Sequence, residues 1–595
     1  MGALLRATLF LLPILLGANV VEPTLFGILG NPFRRPRLDD LLNPFLPPPV
    51  EDPQHGENKG PKAVKRPDFE TQYAGAWKLV RENAGVSAMH LVIMKNNKAI
   101  MFDFTAFGPS SIALPQGNCR VDPHSPTKAL DCWAHAVEFD IDTAEVRPLK
   151  VLTDTWCSSG GLDAEGTLVQ TGGYDDGGRG VRYLEPCAGC DFKEFTYDLS
   201  AQKWYSTQQI LPDGSFVVIG GRREFNYEYV PPAGQPNTIK ETYYLPFLKE
   251  TTDVIENNLY PFVHLNTDGN LFIFANDRAI LLDHKANKVI REYPKLRGGS
   301  RNYPASGMSV LLPLDLRRPA VDPEVLICGG CPRDSFNLSA VKIFVPALRS
   351  CARLAINKPD AAWRMEKMPM PRTMGDMLLL PNAEVLIING AAKGSAGWWQ
   401  AKDPVLTPLL YRPELARANR FRALAPSTIP RMYHSTSAVL PDGDILVAGS
   451  NTNDGYKFIG EEFPTELRVE KFSPPYQDPE LNIHRPSINA EVLPAEGMQY
   501  GRSFTIAFAI IMTELVERDD LMVTMYAQPL TTHGYSMNQR LLILETEEFA
   551  MINSVGSYSI TVRAPPSGEY APPGYYQVHV VHRGVPSKGI WVKLH

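Results

Sequence analysis

Residues 209–221 read QILPDGSFVVIGG. Two short apolar runs flank a Pro-Asp-Gly turn, and a glycine pair ends the second run. Asp213-Gly214 is a hairpin signal, because a tight two-residue turn needs residues that tolerate positive φ. The stretch therefore reads as strand, turn, strand, stop. The same grammar recurs on both sides of it. Residues 162–173 read LDAEGTLVQTGG, 263–276 VHLNTDGNLFIFAN, 308–330 MSVLLPLDLRRPAVDPEVLICGG, 377–390 MLLLPNAEVLIING and 439–449 VLPDGDILVAG. Asp268-Gly269 and Asp442-Gly443 repeat the hairpin turn.

The units close at Gly172, Gly220, Asn276, Gly329, Gly390 and Gly449. Their spacing is near the period of about 50 residues that marks kelch repeats. The expected fold is all-β, a seven-bladed kelch-type β-propeller, because a ring of blades grows by addition and leaves only short, protected sheet edges. The quoted units supply six blades, and Met89–Phe104, with its Asn96-Asn97 turn, supplies the seventh or part of it. The repeat stops after about Tyr476. Strands are expected at Ser503–Ile511, Asp520–Tyr526, Gln539–Leu544, Ser557–Arg563 and Gly574–His582. That density of strands suggests an immunoglobulin-like β-sandwich. The domain plan is then a signal peptide over 1–21, a Pro-rich linker or pro-segment over 22–68, a propeller over 69–480 and a sandwich over 481–595.

Arg6 precedes an apolar run from Ala7 to Leu16. That run is too short for a membrane span, which needs about 20 apolar residues, and it has the form of a secretory signal. Cleavage is expected between Gly17 and Val21. Residues such as Leu46-Pro47-Pro48-Pro49 offer little that could pack. The net charge of −6 comes from 59 basic and 65 acidic residues with no block of one sign. This argues against a nucleic-acid partner, which calls for a basic face. An extracellular chain can form disulfides. The eight cysteines suggest, by proximity, Cys119–Cys132, Cys187–Cys190 and Cys331–Cys351, leaving Cys157 and Cys328 unpaired. The Cys187/Cys190 pair has no second CxxC to complete a zinc site. Asn337-Leu338-Ser339 is a glycosylation acceptor.

A propeller does not by itself imply activity. Three segments stand out as carriers of chemistry: Asp154–Gly161 (DTWCSSGG), Lys203–Gln209 (KWYSTQQ) and Pro430–Thr436 (PRMYHST). The last two stand at the same place in their units, just before a strand that ends in LPDG. Equivalent places in different blades converge on one axis, so Tyr205 is expected to face Tyr433 and His434 across the channel. Each of these residues alone would read as ordinary core. His90, His135, His264, His579 and His582 keep that reading, and Trp133, Trp363, Trp398 and Trp399 read as core or surface anchors.

Together the segments resemble the copper site of the glyoxal oxidase and galactose oxidase family of copper-radical oxidases. The resemblance runs from about Phe69 to the end. It is closer to glyoxal oxidases through Gly85–His90 (GVSAMH), Arg372–Met377 (RTMGDM) and Ala391–Trp398 (AAKGSAGW). It implies that Cys157 is bonded through sulfur to the ring of Tyr205, and that this tyrosine ligates copper and carries a radical. It also implies that Tyr433, His434 and His533 complete the metal site, with Tyr433 as general base. His533, in Leu530–Ser536 (LTTHGYS), would come from the carboxy-terminal domain. The region Arg222–Tyr229 lacks the tryptophan that galactose oxidase stacks over its cross-linked tyrosine. Arg301, Tyr303, Arg372 and Asp376 sit where they could line the channel mouth and touch substrate.

The donor set suits the implied metal, since imidazole nitrogens with phenolate oxygen and an open position make a tetragonal site for Cu(II). One copper takes one electron, and a tyrosyl radical would take the second that an aldehyde or alcohol oxidation requires. The expected function is oxidation of small aldehydes such as glyoxal and methylglyoxal to carboxylic acids, with O2 reduced to hydrogen peroxide. Alternatives are an alcohol oxidase acting on galactose or galactose-bearing cell-wall polysaccharide, and a copper-free propeller that binds carbohydrate or protein. The expected setting is extracellular, in the cell wall or apoplast, as a monomer with no membrane span.

Overall fold

The computed structural model describes residues 66–595 except Phe107, His124, Pro236, Ile239 and the segments 491–495, 512–514 and 553–555. The expected signal peptide and nearly all of the Pro-rich segment lie outside the described residues. Seven antiparallel sheets of the propeller are each led by an inner strand: His90–Ile93, Ser159–Leu162, Ser206–Ile210, Phe262–Leu265, Met308–Leu311, Asp376–Leu379 and Ser435–Val439. Numbered in that order, they are blades one to seven. All seven inner strands are buried along nearly their whole length, so they form the core around the axis. The last blade is completed by the first described strand, Ala76–Arg81, which pairs antiparallel with Val469–Ser473. This joins the two ends of the propeller into a closed ring.

The unit-ending residues behave as their chemistry demands. Gly172, Gly220, Gly329, Gly390 and Gly449 all have positive φ, between +70° and +97°, and Asn276 takes the same left-handed form at 60°. The chain there turns out of the second strand, and the carbonyls at the bend need donors. A buried cation supplies one in five blades, the first being Arg182, whose Nη1 donates to Gly172 O at 2.7 Å. Lys203 Nζ donates to Gly220 O at 3.2 Å, and Arg431 Nη1 to Gly449 O at 2.8 Å. Arg301 Nη1 donates to Gly329 O and Arg372 Nη1 to Asn389 O.

Two further sheets follow the propeller: Ser487–Ile488, Ser503–Ala509, Ser557–Arg563 and Glu545–Met551 in one, and strands including Leu521–Ala527, Arg540–Ile543 and Gly574–His582 in the other. Each of the five expected strands is present, within two residues at either end. Together the sheets make the expected sandwich. Its second sheet reaches the propeller, where Leu314–Asp315 pairs in parallel with Arg540–Ile543.

One hairpin leaves the sandwich and enters the ring. Leu530–Thr532 and Tyr535–Met537 pair with each other, and the first of these strands pairs with His90–Ile93 of blade one. Inner strands expose backbone groups toward the axis that need partners. Polar side chains on and beside the hairpin supply them. Asn538 bonds Gly160 O at 2.9 Å and Ile210 N at 2.7 Å. Tyr535 Oη bonds both N and O of Val263, at 2.9 and 2.6 Å. Gln539 bonds Met377 O at 3.0 Å and Leu379 N at 2.6 Å, and Gln528 reaches Val439 O at 2.7 Å. Gly160 has no side chain because the hairpin is there: a Cβ would lie 2.9 Å from Leu530 Cδ1.

The disulfides are Cys119–Cys132, Cys187–Cys190 and Cys328–Cys351. The expected Cys331–Cys351 pair is corrected. Cys328 and Cys351 are direct partners in register on adjacent strands of blade five, with Cα atoms 4.0 Å apart. Cys331 lies past the glycine pair, where the chain has turned away, and its buried thiol donates to Gly394 O at 2.9 Å. Asn337 is exposed on the short helix Ser335–Ala340.

Candidate active site

Just before six of the seven inner strands stands a residue with left-handed backbone: Cys157, Tyr205, Tyr260, Ser306, Met374 and His434. A non-glycine residue in this conformation costs roughly 1–2 kcal/mol. The strain is held by bonds between neighbouring blades. Tyr205 N donates to Cys157 O at 3.0 Å, Tyr260 N to Tyr205 O at 2.9 Å, and Met374 N to Ser306 O at 2.7 Å. The turn aims these side chains at the axis, and His533, at the tip of the inserted hairpin and itself at φ 50°, meets them there.

The five residues expected to carry the chemistry are thus brought together. His434 and His533 have ring centroids 4.8 Å apart, Tyr433 and His533 5.6 Å, and Tyr205 and His533 6.0 Å. The potential ligand atoms of Cys157, His434 and His533 lie within 4.8 Å of one another. Cys157 is a free, fully buried thiol in the blade next to that of Tyr205. Its Sγ is 3.3 Å from His533 Nε2.

Hydrogen bonds fix the tautomer of His533. Thr532 Oγ1 spends its proton on Met89 O at 2.9 Å, so at 2.6 Å it accepts from His533 Nδ1. His533 Nε2 is then unprotonated and directed into the site. Both ring nitrogens of His434 are buried with no hydrogen-bond partner. A buried polar atom left so costs free energy unless something else fills its lone pair. Burial pulls both imidazoles well below the usual histidine range, so both are neutral. Burial also pushes the phenols of Tyr205 and Tyr433, and the thiol of Cys157, well above theirs. Neutral imidazoles and unionised phenols around an unfilled lone pair fit a cation that takes N and O ligands. Such a cation would supply the positive charge that ionised phenols need here.

Among the expected substrate contacts only Tyr303 is at the site. Its Oη is 3.1 Å from Tyr205 Oη and 2.9 Å from Tyr433 Oη, and its ring stacks on Tyr205 with centroids 4.5 Å apart. It is the ring over Tyr205 that the sequence left unidentified. Trp204 also flanks Tyr205, at 4.8 Å. Arg301, Arg372 and Asp376 do not line the mouth. The two arginines are the buried cations that close their blades, and Asp376 accepts from Ser437 Oγ at 2.7 Å and Asn389 Nδ2 at 3.0 Å. They recur in the repeat because the blade needs them, which is why they resembled site residues.

Several neighbours had no individual signal. Tyr260 donates to Ser158 O at 2.8 Å and has its ring 5.1 Å from His533. His90 bonds Ser158 O at 3.2 Å beneath the site. Trp398, expected as an anchor, stacks on Trp156 at 5.4 Å and belongs to the apolar cluster around Tyr433. Tyr260 could have been found by alignment with Tyr205 one blade earlier.

A propeller whose axis ends in a cysteine, phenols and imidazoles, plugged by a sandwich hairpin, defines an oxidoreductase of the copper-oxidase fold. Residues 89–476 match the family described as glyoxal oxidase N-terminus, and 485–594 the galactose oxidase-like early set domain. The chain is 50% identical to aldehyde oxidase GLOX1 of Arabidopsis thaliana over 88% of its length and 85% of the relative. It is 43% identical to aldehyde oxidase GLOX of Vitis pseudoreticulata, over 87% and 97% respectively. A solved structure described as a novel fungal alcohol oxidase of the AA5 family, in complex with copper, superposes with a TM-score of 0.67 at 18% identity, over 88% of this chain and 99% of that one. That likeness concerns the fold alone. The chain belongs to the glyoxal oxidase family.

Proposed function

We propose that this protein is a secreted copper-radical oxidase that converts small aldehydes, as their hydrates, to carboxylic acids while reducing O2 to hydrogen peroxide. The observation that carries the reading is the meeting of Tyr205, Tyr433, His434 and His533 around the unpartnered His434 ring, with the Cys157 thiol alongside. Tyr205, Tyr433, His434 and His533 would hold one copper ion. Bound there, copper would take one of the two electrons removed from substrate, and oxidised Tyr205 the other.

The chain's own residues do the rest. Cys157 Sγ bonds to a ring carbon of Tyr205 with loss of the thiol hydrogen and one ring hydrogen; O2 takes these two electrons and two protons and becomes hydrogen peroxide. In turnover Tyr433 Oη takes the hydroxyl proton of the hydrate, and Tyr205 Oη takes the hydrogen on carbon. Both groups are fixed by the ring of blades, which is where positioning lowers a barrier. The net reaction is hydrate plus O2 to acid plus hydrogen peroxide. Three disulfides support an extracellular setting, with residues 1–21 removed and 22–68 as a linker. In this plan the catalytic body spans 69–480 and the sandwich, 481–595, contributes His533.

The test is mass spectrometry of the secreted, copper-loaded protein. A peptide joining Cys157 to Tyr205, two hydrogens lighter than its parts, is expected, and Cys157→Ala is expected to lower peroxide formation from glyoxal at least about a hundredfold. Separate peptides in the presence of copper and oxygen would rule out the radical mechanism and leave a binding propeller. Peroxide from galactose but not from methylglyoxal would move the substrate class to alcohols.

A further inference from the structure

Three phenols meet at the site, and the reaction above uses two. Tyr303 has no task in it. Its Oη nevertheless stands within hydrogen-bond distance of both Tyr205 Oη, at 3.1 Å, and Tyr433 Oη, at 2.9 Å. Tyr205 and Tyr433 are buried, at 5% and 2% exposure, whereas Tyr303 is half-buried. It is therefore the phenol of the three that an arriving molecule meets first. Its position is fixed, since Tyr303 N donates to Leu259 O at 3.1 Å and its ring lies on that of Tyr205.

We propose that the Tyr303 hydroxyl binds the second hydroxyl of an aldehyde hydrate and so selects hydrates over primary alcohols; this rests on the roles given above to Tyr205 and Tyr433. A hydrate carries two hydroxyls and one hydrogen on the reacting carbon. One hydroxyl meets Tyr433 and the hydrogen meets Tyr205, so the second hydroxyl is the group left to be recognised. A substrate spanning Tyr433 and Tyr205 lies against Tyr303 Oη, which is adjacent to both. A phenol offers one donor and accepting lone pairs, so it can pair with a hydroxyl in either sense. A primary alcohol has hydrogen where the hydrate has its second hydroxyl, and Tyr303 is left without that partner. Sites that hydrogen-bond a substrate hydroxyl discriminate strongly against the analogue that lacks it.

The experiment titrates copper-loaded wild type and Tyr303→Phe with two unreactive ligands. Hexafluoroacetone hydrate is a stable geminal diol with no hydrogen on the carbinol carbon. Hexafluoro-tert-butanol is its one-hydroxyl counterpart. Calorimetry is expected to show the diol binding wild type about tenfold tighter than it binds Tyr303→Phe, with the alcohol binding both within about twofold. Equal diol affinity in the two proteins, or parallel loss of both ligands, overturns the proposal. So does a wild type that fails to prefer the diol, a result that does not depend on the variant folding. Copper content and the joined Cys157–Tyr205 peptide are measured in each protein. Their absence from wild type sinks the underlying reading. Their loss from Tyr303→Phe alone makes Tyr303 an assembly residue and also overturns the proposal.

Discussion

At the residue scale, the site depends on how each donor is held. His533 reaches the axis from another layer of the molecule, and Thr532 fixes its tautomer by accepting from Nδ1 while donating to Met89 O. Partners of this kind orient a ligating imidazole and commonly change metal affinity by about 10–100-fold. Thr532→Val is therefore expected to weaken copper retention by about that factor with the fold intact. Competition against a chelator, with circular dichroism as the control, measures this. Retention equal to wild type would mean that the hairpin alone orients His533. The backbone matters as much as the side chains. Cys157, Tyr205, His434 and His533 all have positive φ, and the strain is borne where blades bond to one another.

At the element scale, five of the seven blades end their second strand at a left-handed glycine with a buried cation on the bend. This device explains why Arg301 and Arg372 looked functional and are structural. Burial brings Arg301 down to about 10 and Arg372 to about 9, which leaves both charged at neutral pH and able to donate to carbonyls. It also explains the disulfide. Proximity in sequence favoured Cys331, but the ladder puts Cys328 opposite Cys351. Non-reducing digestion is expected to yield a Cys328–Cys351 peptide, with Cys331 alkylated only after denaturation. Cys351→Ser opens a loop of 23 residues' separation and is expected to cost about 3 kcal/mol of stability, read in chemical denaturation. A Cys331–Cys351 peptide would refute the register.

At the scale of the whole molecule, two long-range closures make the site. One is the strand Ala76–Arg81 on the last blade, where Trp77 Nε1 donates to Ala425 O at 2.8 Å. The other is the hairpin that bonds the inner strands from within. Removing the chain through Arg81 leaves Val469–Ser473 an open edge and is expected to lower the thermal midpoint by roughly 5 °C or more. An unchanged midpoint would show that the ring does not need this strand.

The repeat and the spacing of its glycines were enough to indicate blades, because a hairpin's demand for positive φ is local and each blade states it again. The facing of Tyr205 with Tyr433 and His434 was legible because equivalent positions in a ring share an axis, whereas Cys157 and His533 were indicated by the resemblance of their segments to the family. What surrounds those residues was not. Tyr303, Tyr260, Thr532 and the partnering of Cys328 depend on which side chains approach from other blades and from the sandwich, and no local rule encodes that. The sequence by itself determined the propeller, since that rests on turn chemistry, and it pointed to the candidate donors through their resemblance to the family. Only the tertiary structure decided that Tyr303 lies over Tyr205 and that Arg301 does not line the mouth, because packing across blades chooses which side chain faces the axis.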